Sequence, residues 1–145
     1  MSEKKGFEFL EHTADAYIAA YGKNMSEAFE NAALAMFQVM TSTDRIDQTV
    51  EDTVEVEAYD EQALLYNWLE ALLVKFEVHG MLHSRFKTLN LEETPTGFKL
   101  KAKIWGEKFD PKKHTQKVGV KAVTYHRMEI IKHPDKVTLR FILDI

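Results

Sequence analysis

An α+β fold, two helices packed on an antiparallel or mixed sheet, is what this chain predicts from three observations. Two segments repeat apolar residues at helical spacing behind capping residues. Other segments alternate apolar and polar residues with the period of two that marks a half-buried strand. No linker, repeat or low-complexity stretch divides them, so residues 1–145 read as a single domain with helices and strands partly segregated.

Phe7 to Glu11 and Tyr17 to Tyr21 read as two short strands flanking a His12-Thr13-Ala14-Asp15 turn, with Gly22 closing the second. Asn24-Met25-Ser26-Glu27 then has the form of a capping box. Behind it Phe29, Ala32, Ala33, Met36, Phe37 and Met40 share one helical face. Val50 to Ala58 alternates valines with Glu51, Thr53, Glu55 and Glu57, a strand whose outer face is acidic. Asp60 can cap a second helix whose stripe of Leu65, Trp68, Leu69, Leu72, Leu73 and Phe76 ends before Gly80.

Beyond Gly80 the chain turns to β structure. A strand from about Leu82 to Leu91 and another from Phe98 to Trp105 flank the turn Pro95-Thr96-Gly97. Asp110-Pro111-Lys112-Lys113-His114 reads as a loop too polar to enter a core. A strand from about Val120 to Lys132 follows, then a turn at His133-Pro134-Asp135-Lys136 and a last strand. In that last strand Val137, Leu139, Phe141 and Leu143 alternate with Thr138, Arg140, Ile142 and Asp144 up to Ile145, so the terminal carboxylate is expected to be held in the fold.

The composition bounds the function. At 145 residues, 45% hydrophobic and 29% charged, the chain has the make-up of an ordinary soluble domain. It contains no apolar run of the roughly 20 residues that a membrane span needs. Met-Ser-Glu-Lys-Lys lacks the apolar stretch of a signal peptide, and the absence of cysteine removes disulfides, thiolate zinc sites and cysteine nucleophiles. These features point to a cytoplasmic protein. A formal charge of −4 argues against broad nucleic-acid binding, which draws on a surplus of Lys and Arg. The acidic run at residues 51–57 and the lysines between Lys99 and Lys121 read as solvated faces, with a basic contact surface as the alternative for the second.

The candidate chemistry sits at the two ends. The Asp144 side chain and the Ile145 carboxylate lie within one residue of each other, and like charges 4 Å apart repel by about 4 kcal/mol at an effective dielectric near 20. If the fold brings Asp15 to the same place, three hard oxygen donors converge, a set suited to Ca²⁺, Mg²⁺ or Mn²⁺. An Asx turn is the alternative for Asp15, and a hydrogen-bonding neighbour the alternative for His12. None of the six histidines has helical zinc-motif spacing, and the chain carries no Gly-rich phosphate loop or Gly-x-Ser-x-Gly elbow. In the segment Lys121-Ala122-Val123-Thr124-Tyr125-His126, strand alternation would send Lys121, Val123 and Tyr125 to one face and Ala122, Thr124 and His126 to the other. Lys121 could serve as an internal counter-ion or be offered to a partner's phosphate or carboxylate, while Tyr125 could simply pack flat.

Glu11-His12-Thr13-Ala14-Asp15, Leu64 to Glu70, Gly106 to Asp110 with Lys112-Lys113-His114, Val120 to His126 and the terminal Asp144-Ile145 together resemble the archease family, over essentially the whole chain. The chain departs from the family pattern at Ala16 and Tyr17, where an apolar residue and a glycine usually follow the Asp. The resemblance implies one strand-helix-strand-strand module inserted into another. It also implies a non-enzymatic cofactor of the RtcB-type tRNA-splicing ligase, promoting guanylylation of the ligase's active-site histidine so that it turns over repeatedly, and meeting RNA only indirectly. A divalent metal, commonly calcium, is implied at Asp15, Asp144 and Ile145. Lys121, His12, Tyr125 and His126 are the expected partner contacts. The rival readings are a stand-alone metal-dependent hydrolase and a general chaperone of RNA- or DNA-processing proteins.

Overall fold

The structure, a computed structural model, describes residues 6–10 and 15–145. Among these lie eight strands and two α-helices: β1 (Phe7–Leu10), β2 (Ala16–Gly22), α1 (Met25–Met40), β3 (Val50–Ala58), α2 (Glu61–His79), β4 (Met81–Thr94), β5 (Gly97–Lys108), β6 (Ala122–Val123), β7 (Glu129–His133) and β8 (Lys136–Asp144). A 3₁₀ turn at Thr43–Arg45 follows α1. The α+β prediction holds, with two antiparallel sheets in place of one.

Local chemistry fixes the helix ends. The Asn24 side chain accepts the Glu27 N–H at 2.9 Å, and Glu27 in turn accepts the Lys23 N–H at 2.6 Å, so orphan amides at the start of α1 are satisfied. Asp60 accepts the Ala63 N–H at 2.7 Å at the start of α2. Gly80 ends α2 with φ 68°, the left-handed conformation that glycine adopts without a Cβ penalty.

The larger sheet runs β1-β2-β8-β6, with β7 also paired to β8; the smaller runs β3-β5-β4. A common topology underlies both. In β2-α1-β7-β8 the first strand pairs with the last, and the last with the strand before it; β3-α2-β4-β5 does the same. The second set lies between α1 and β6, so one strand-helix-strand-strand module is inserted into the other. Register shifts interrupt β4 between His83 and Arg85 and between Thr88 and Asn90. Gly106 sits against the first of these, where any Cβ would strike the Leu82 carbonyl.

One core joins the modules. α1 and α2 contribute Phe29, Met36, Phe37, Leu65, Trp68, Leu69 and Leu72, all fully buried, against Ile18, Leu139, Phe141 and Leu143 from one sheet and Leu100, Ala102 and Ile104 from the other. Fully burying a side chain of this size contributes about 1.5–3 kcal/mol. Trp68 Nε1 donates to the Phe29 carbonyl at 2.9 Å, tying the two helices at the centre. At the edge, Lys75 of α2 pairs with Asp52 of β3 at 2.8 Å.

Two expectations need correction. The strand from Val120 to Lys132 is not continuous: after β6 the chain turns, closed by the Met128 N–H on the Tyr125 carbonyl at 3.1 Å, and resumes as β7. The expected alternation of Lys121, Val123 and Tyr125 therefore ends at Val123. The loop at 110–114 stays at the surface through Asp110, Pro111 and Lys112, as expected, but its last side chain does not: His114 is 2% exposed and both its ring nitrogens are hydrogen-bonded. The expected turn at His12, with the end of the first strand at Glu11, lies outside the described residues.

Candidate functional site

The register of the larger sheet brings the two chain ends together. The β2–β8 ladder ends where Ala16 pairs with Leu143, so Asp15 and Asp144 are the next residues of their two segments beyond that last pair. Facing residues in neighbouring antiparallel strands share a face, and the strands run about 4.8 Å apart. On the other side of β8, Ala122 pairs with Asp144, and the Lys121 N–H donates to the Asp144 carbonyl at 2.7 Å. Ile145 packs its side chain against the core, which anchors its main chain at the same corner. Asp144 and Lys121 are exposed, and Asp15 is half-buried. Sequence alone could not supply this convergence, because β2 and β8 lie at opposite ends of the chain.

The inserted module has a matching corner, and its chemistry is explicit. Glu107 follows Gly106, the last β5 residue paired with β3, as Asp144 follows Leu143. Lys113 Nζ lies 2.7 Å from Glu107 and 2.7 Å from Asp47, bridging two carboxylates. The Asp47 N–H donates to Glu107 at 2.9 Å. The His114 ring completes the clasp: the Asp110 N–H donates to Nδ1 at 2.9 Å, so Nε2 carries the proton given to Glu107 at 2.8 Å. Burial alone would raise the Glu107 pKa, but the donors from Lys113, Asp47 and His114 outweigh it and bring it down to about 2. Here a lysine neutralises the pair of acids.

Tyr125 and His126 occupy the turn after β6, and both are exposed. Tyr125 packs flat on Tyr66 of α2, with ring centroids 4.5 Å apart and planes 5° from parallel. Desolvation, with Tyr59, Tyr66 and Asp60 nearby, raises the Tyr125 pKa, so its hydroxyl stays protonated. Tyr59, 76% exposed, extends this aromatic surface. Tyr59 and Tyr66 were absent from the sequence-derived site; Tyr66 falls within the α2 pattern, where helical spacing gives no sign of which tyrosine meets a distant turn.

The donor set at the Asp15 corner fits a hard cation: two side-chain carboxylates and a main-chain carboxylate, all oxygen. Among the described residues no group of three His, Cys, Asp or Glu side chains is arranged for a metal, so a site here needs the Ile145 carboxylate as its third donor. Cavities among the described residues lie elsewhere, one of them, of about 360 Å³, between β3 and α2. One of about 630 Å³ is bordered by Tyr21, Asn31 and Lys136, and one of about 370 Å³ lies beneath residues 115–119. Among the described residues no helix is long and apolar enough to cross a membrane.

Fold and corner together define a class: a small α+β protein of two nested modules, with an acidic, cation-suited corner beside an exposed lysine. The sequence model of the archease protein family matches residues 7–145. The archease of Sulfurisphaera tokodaii is 48% identical over 139 residues, covering 96% of this chain and 98% of that one. The archease of Pyrococcus abyssi is 47% identical over 131 residues, covering 90% and 92%. This chain belongs to the archease family. Among solved structures, protein 1598 of Methanobacterium thermoautotrophicum superposes with a TM-score of 0.85 at 42% identity, covering 98% of this chain and 100% of that one. An archease from Thermotoga maritima described as a possible chaperone shares the fold, with a TM-score of 0.59 at 16% identity over 95% and 96% of the two chains.

Proposed function

We propose that this chain is a non-enzymatic, cytoplasmic accessory protein of an RtcB-type tRNA-splicing ligase, meeting RNA only through that partner. It promotes guanylylation of the ligase's active-site histidine, in which the histidine nitrogen displaces pyrophosphate from the α-phosphorus of GTP, and so lets the ligase turn over repeatedly. The observation that carries this reading is the corner itself. In a chain with no nucleophile or phosphate-loop motif of its own, Asp15, Asp144, Ile145 and Lys121 fall at the end of the larger sheet where β2, β8 and β6 adjoin.

Phosphoryl-type transfer depends on positioning and on stabilising charge around the phosphates, and both can be supplied by a partner that forms no covalent bond. Asp15, Asp144 and the Ile145 carboxylate would hold one divalent cation, calcium first, with magnesium or manganese as alternatives. When bound, that cation offers a centre of positive charge to phosphate oxygens. Lys121 extends a compact ammonium from the same edge. Tyr125 and His126, exposed on the following turn, offer contact surface to the ligase, with His12 assigned the same role from the sequence.

The test compares purified ligase, GTP and Mn²⁺ with and without this chain. Multiple-turnover ligation and guanylylation should accelerate at least tenfold. Pre-guanylylated ligase given a single turnover of RNA should react at an unchanged rate. Hydrolysis by the chain alone, or acceleration confined to the joining step, sinks the reading.

A further inference from the structure

We infer that Arg127 is a phosphate-contacting arm of the Asp15–Asp144 corner, a second cation beside Lys121 that meets the partner's nucleotide. This rests on the ligase partnership proposed above and adds a residue to it.

Arg127 is the one non-glycine residue with positive φ among the described residues, at 56°. The left-handed conformation is strained for an L-residue, and a glycine in this turn would avoid that strain. An arginine stands there, and its guanidinium carbon lies 5.4 Å from the centroid of the Tyr17 ring. Tyr17 follows Asp15, which immediately precedes β2, by two residues, and its partner across the ladder, Ile142, precedes Asp144 by two on β8. Strand alternation sets Tyr17, Ile142 and Asp144 on one face, and Asp15 lies at the end of the same strand. Arg127 is therefore anchored on the face that carries the Asp144 carboxylate, two residues, or about 6.7 Å, along the strand from it, with Asp15 two residues from Tyr17 in sequence.

That position suits an oxyanion. Arg127 is exposed, and a cation-π contact consumes no carboxylate, which leaves the forked N–H donors for two phosphate oxygens. When pyrophosphate leaves GTP, negative charge grows on its oxygens, and an arginine supplied in trans by a partner protein is an established way to stabilise such charge. A packing role is the competing account: Tyr17 is 9% exposed, and Arg127 lying over its ring helps to cover it.

The variants Arg127→Gly, Arg127→Met and Arg127→Lys separate these accounts in single-turnover guanylylation of the ligase with GTP and Mn²⁺, alongside thermal melts. Met keeps the cover and loses the charge; Lys keeps the charge and loses the fork. The expected result is at least a tenfold loss of acceleration for both Gly and Met, a smaller loss for Lys, and a Gly variant that melts no lower than wild type. Wild-type acceleration by Arg127→Met would overturn the assignment and leave Arg127 as a cover for Tyr17. If Lys121→Ala abolishes acceleration while Arg127→Gly retains it, only the arm is lost and the partnership stands. If the wild-type chain does not accelerate the ligase, the partnership fails and the arm fails with it.

Discussion

His114 and Glu107 form a fixed pair: Nε2 of the buried imidazole donates to Oε2 at 2.8 Å, and the tautomer is set by the Asp110 N–H on the opposite ring nitrogen. The pair holds the His114 ring in the interior while Asp110, Pro111 and Lys112 stay exposed. Because the folded pKa of Glu107, about 2, lies below its ordinary 4.5, the stability it contributes is present above pH 4.5 and is lost as pH falls toward 2. Glu107→Gln should lower the urea midpoint at pH 7, with the gap to wild type closing near pH 2.5. An equal gap at both pH values would remove the carboxylate from this account.

His83 has the opposite character. It is fully buried, neither ring nitrogen has a hydrogen-bond partner, and burial, with Lys75 nearby, pushes its pKa down to about 4. The unfolded chain takes up a proton near pH 6.5 and the folded chain does not, so stability falls as pH drops from 6.5 toward 4. His83→Leu removes an unpaired buried polar group and this titration together. Its melting temperature should exceed wild type, by more at pH 5 than at pH 7.5. A variant that melts lower at both would show that the imidazole has a polar role in the core.

Calorimetric titration with Ca²⁺ and Mn²⁺ addresses the Asp15 corner. One divalent cation should bind, with affinity falling at least tenfold in Asp15→Asn and in a chain extended by a C-terminal tag. An N-terminal tag should have little effect. Equal affinity in all three forms would exclude the corner as the site.

Lys121 offers a contrast of two measurements. Its side chain is exposed, and such substitutions usually change stability by less than about 0.5 kcal/mol. Lys121→Ala should therefore melt close to wild type while losing most of the ligase activation. Parallel losses would make the lysine an internal counter-ion of Asp144, and retained activation would make it an ordinary surface residue.

The helices were legible in the sequence because their causes are local: Asn24 and Asp60 cap them, and their apolar stripes have a helical period. The β4–β5 hairpin was announced by Pro95-Thr96-Gly97. The break between β6 and β7 was not, because Arg127 takes the conformation that a glycine would have signalled. His114 was hidden because loop composition does not reveal which side chain finds two hydrogen-bond partners. The site residues Asp15, Asp144, Ile145 and Lys121 could be named as candidates, but their meeting depends on β2 pairing with β8, which no period or spacing encodes. The shared topology of the two modules left no sequence repeat, since different residues fill the same layers.

That nested topology also orders events in time. The β4–β5 hairpin closes across Thr94 and Gly97, whereas β2 and β8 must bring Gly22 to Val137. Closing the longer loop costs more chain entropy, and such contacts form later. The inserted module is thus expected to fold first and serve as a template on which the outer strands settle, so pulsed hydrogen exchange should find β4 and β5 protected before β2 and β8. Simultaneous protection would contradict this order. Asp15 and Asp144 would then become neighbours only in the final step of folding, and an incompletely folded chain would lack the corner through which it is proposed to act.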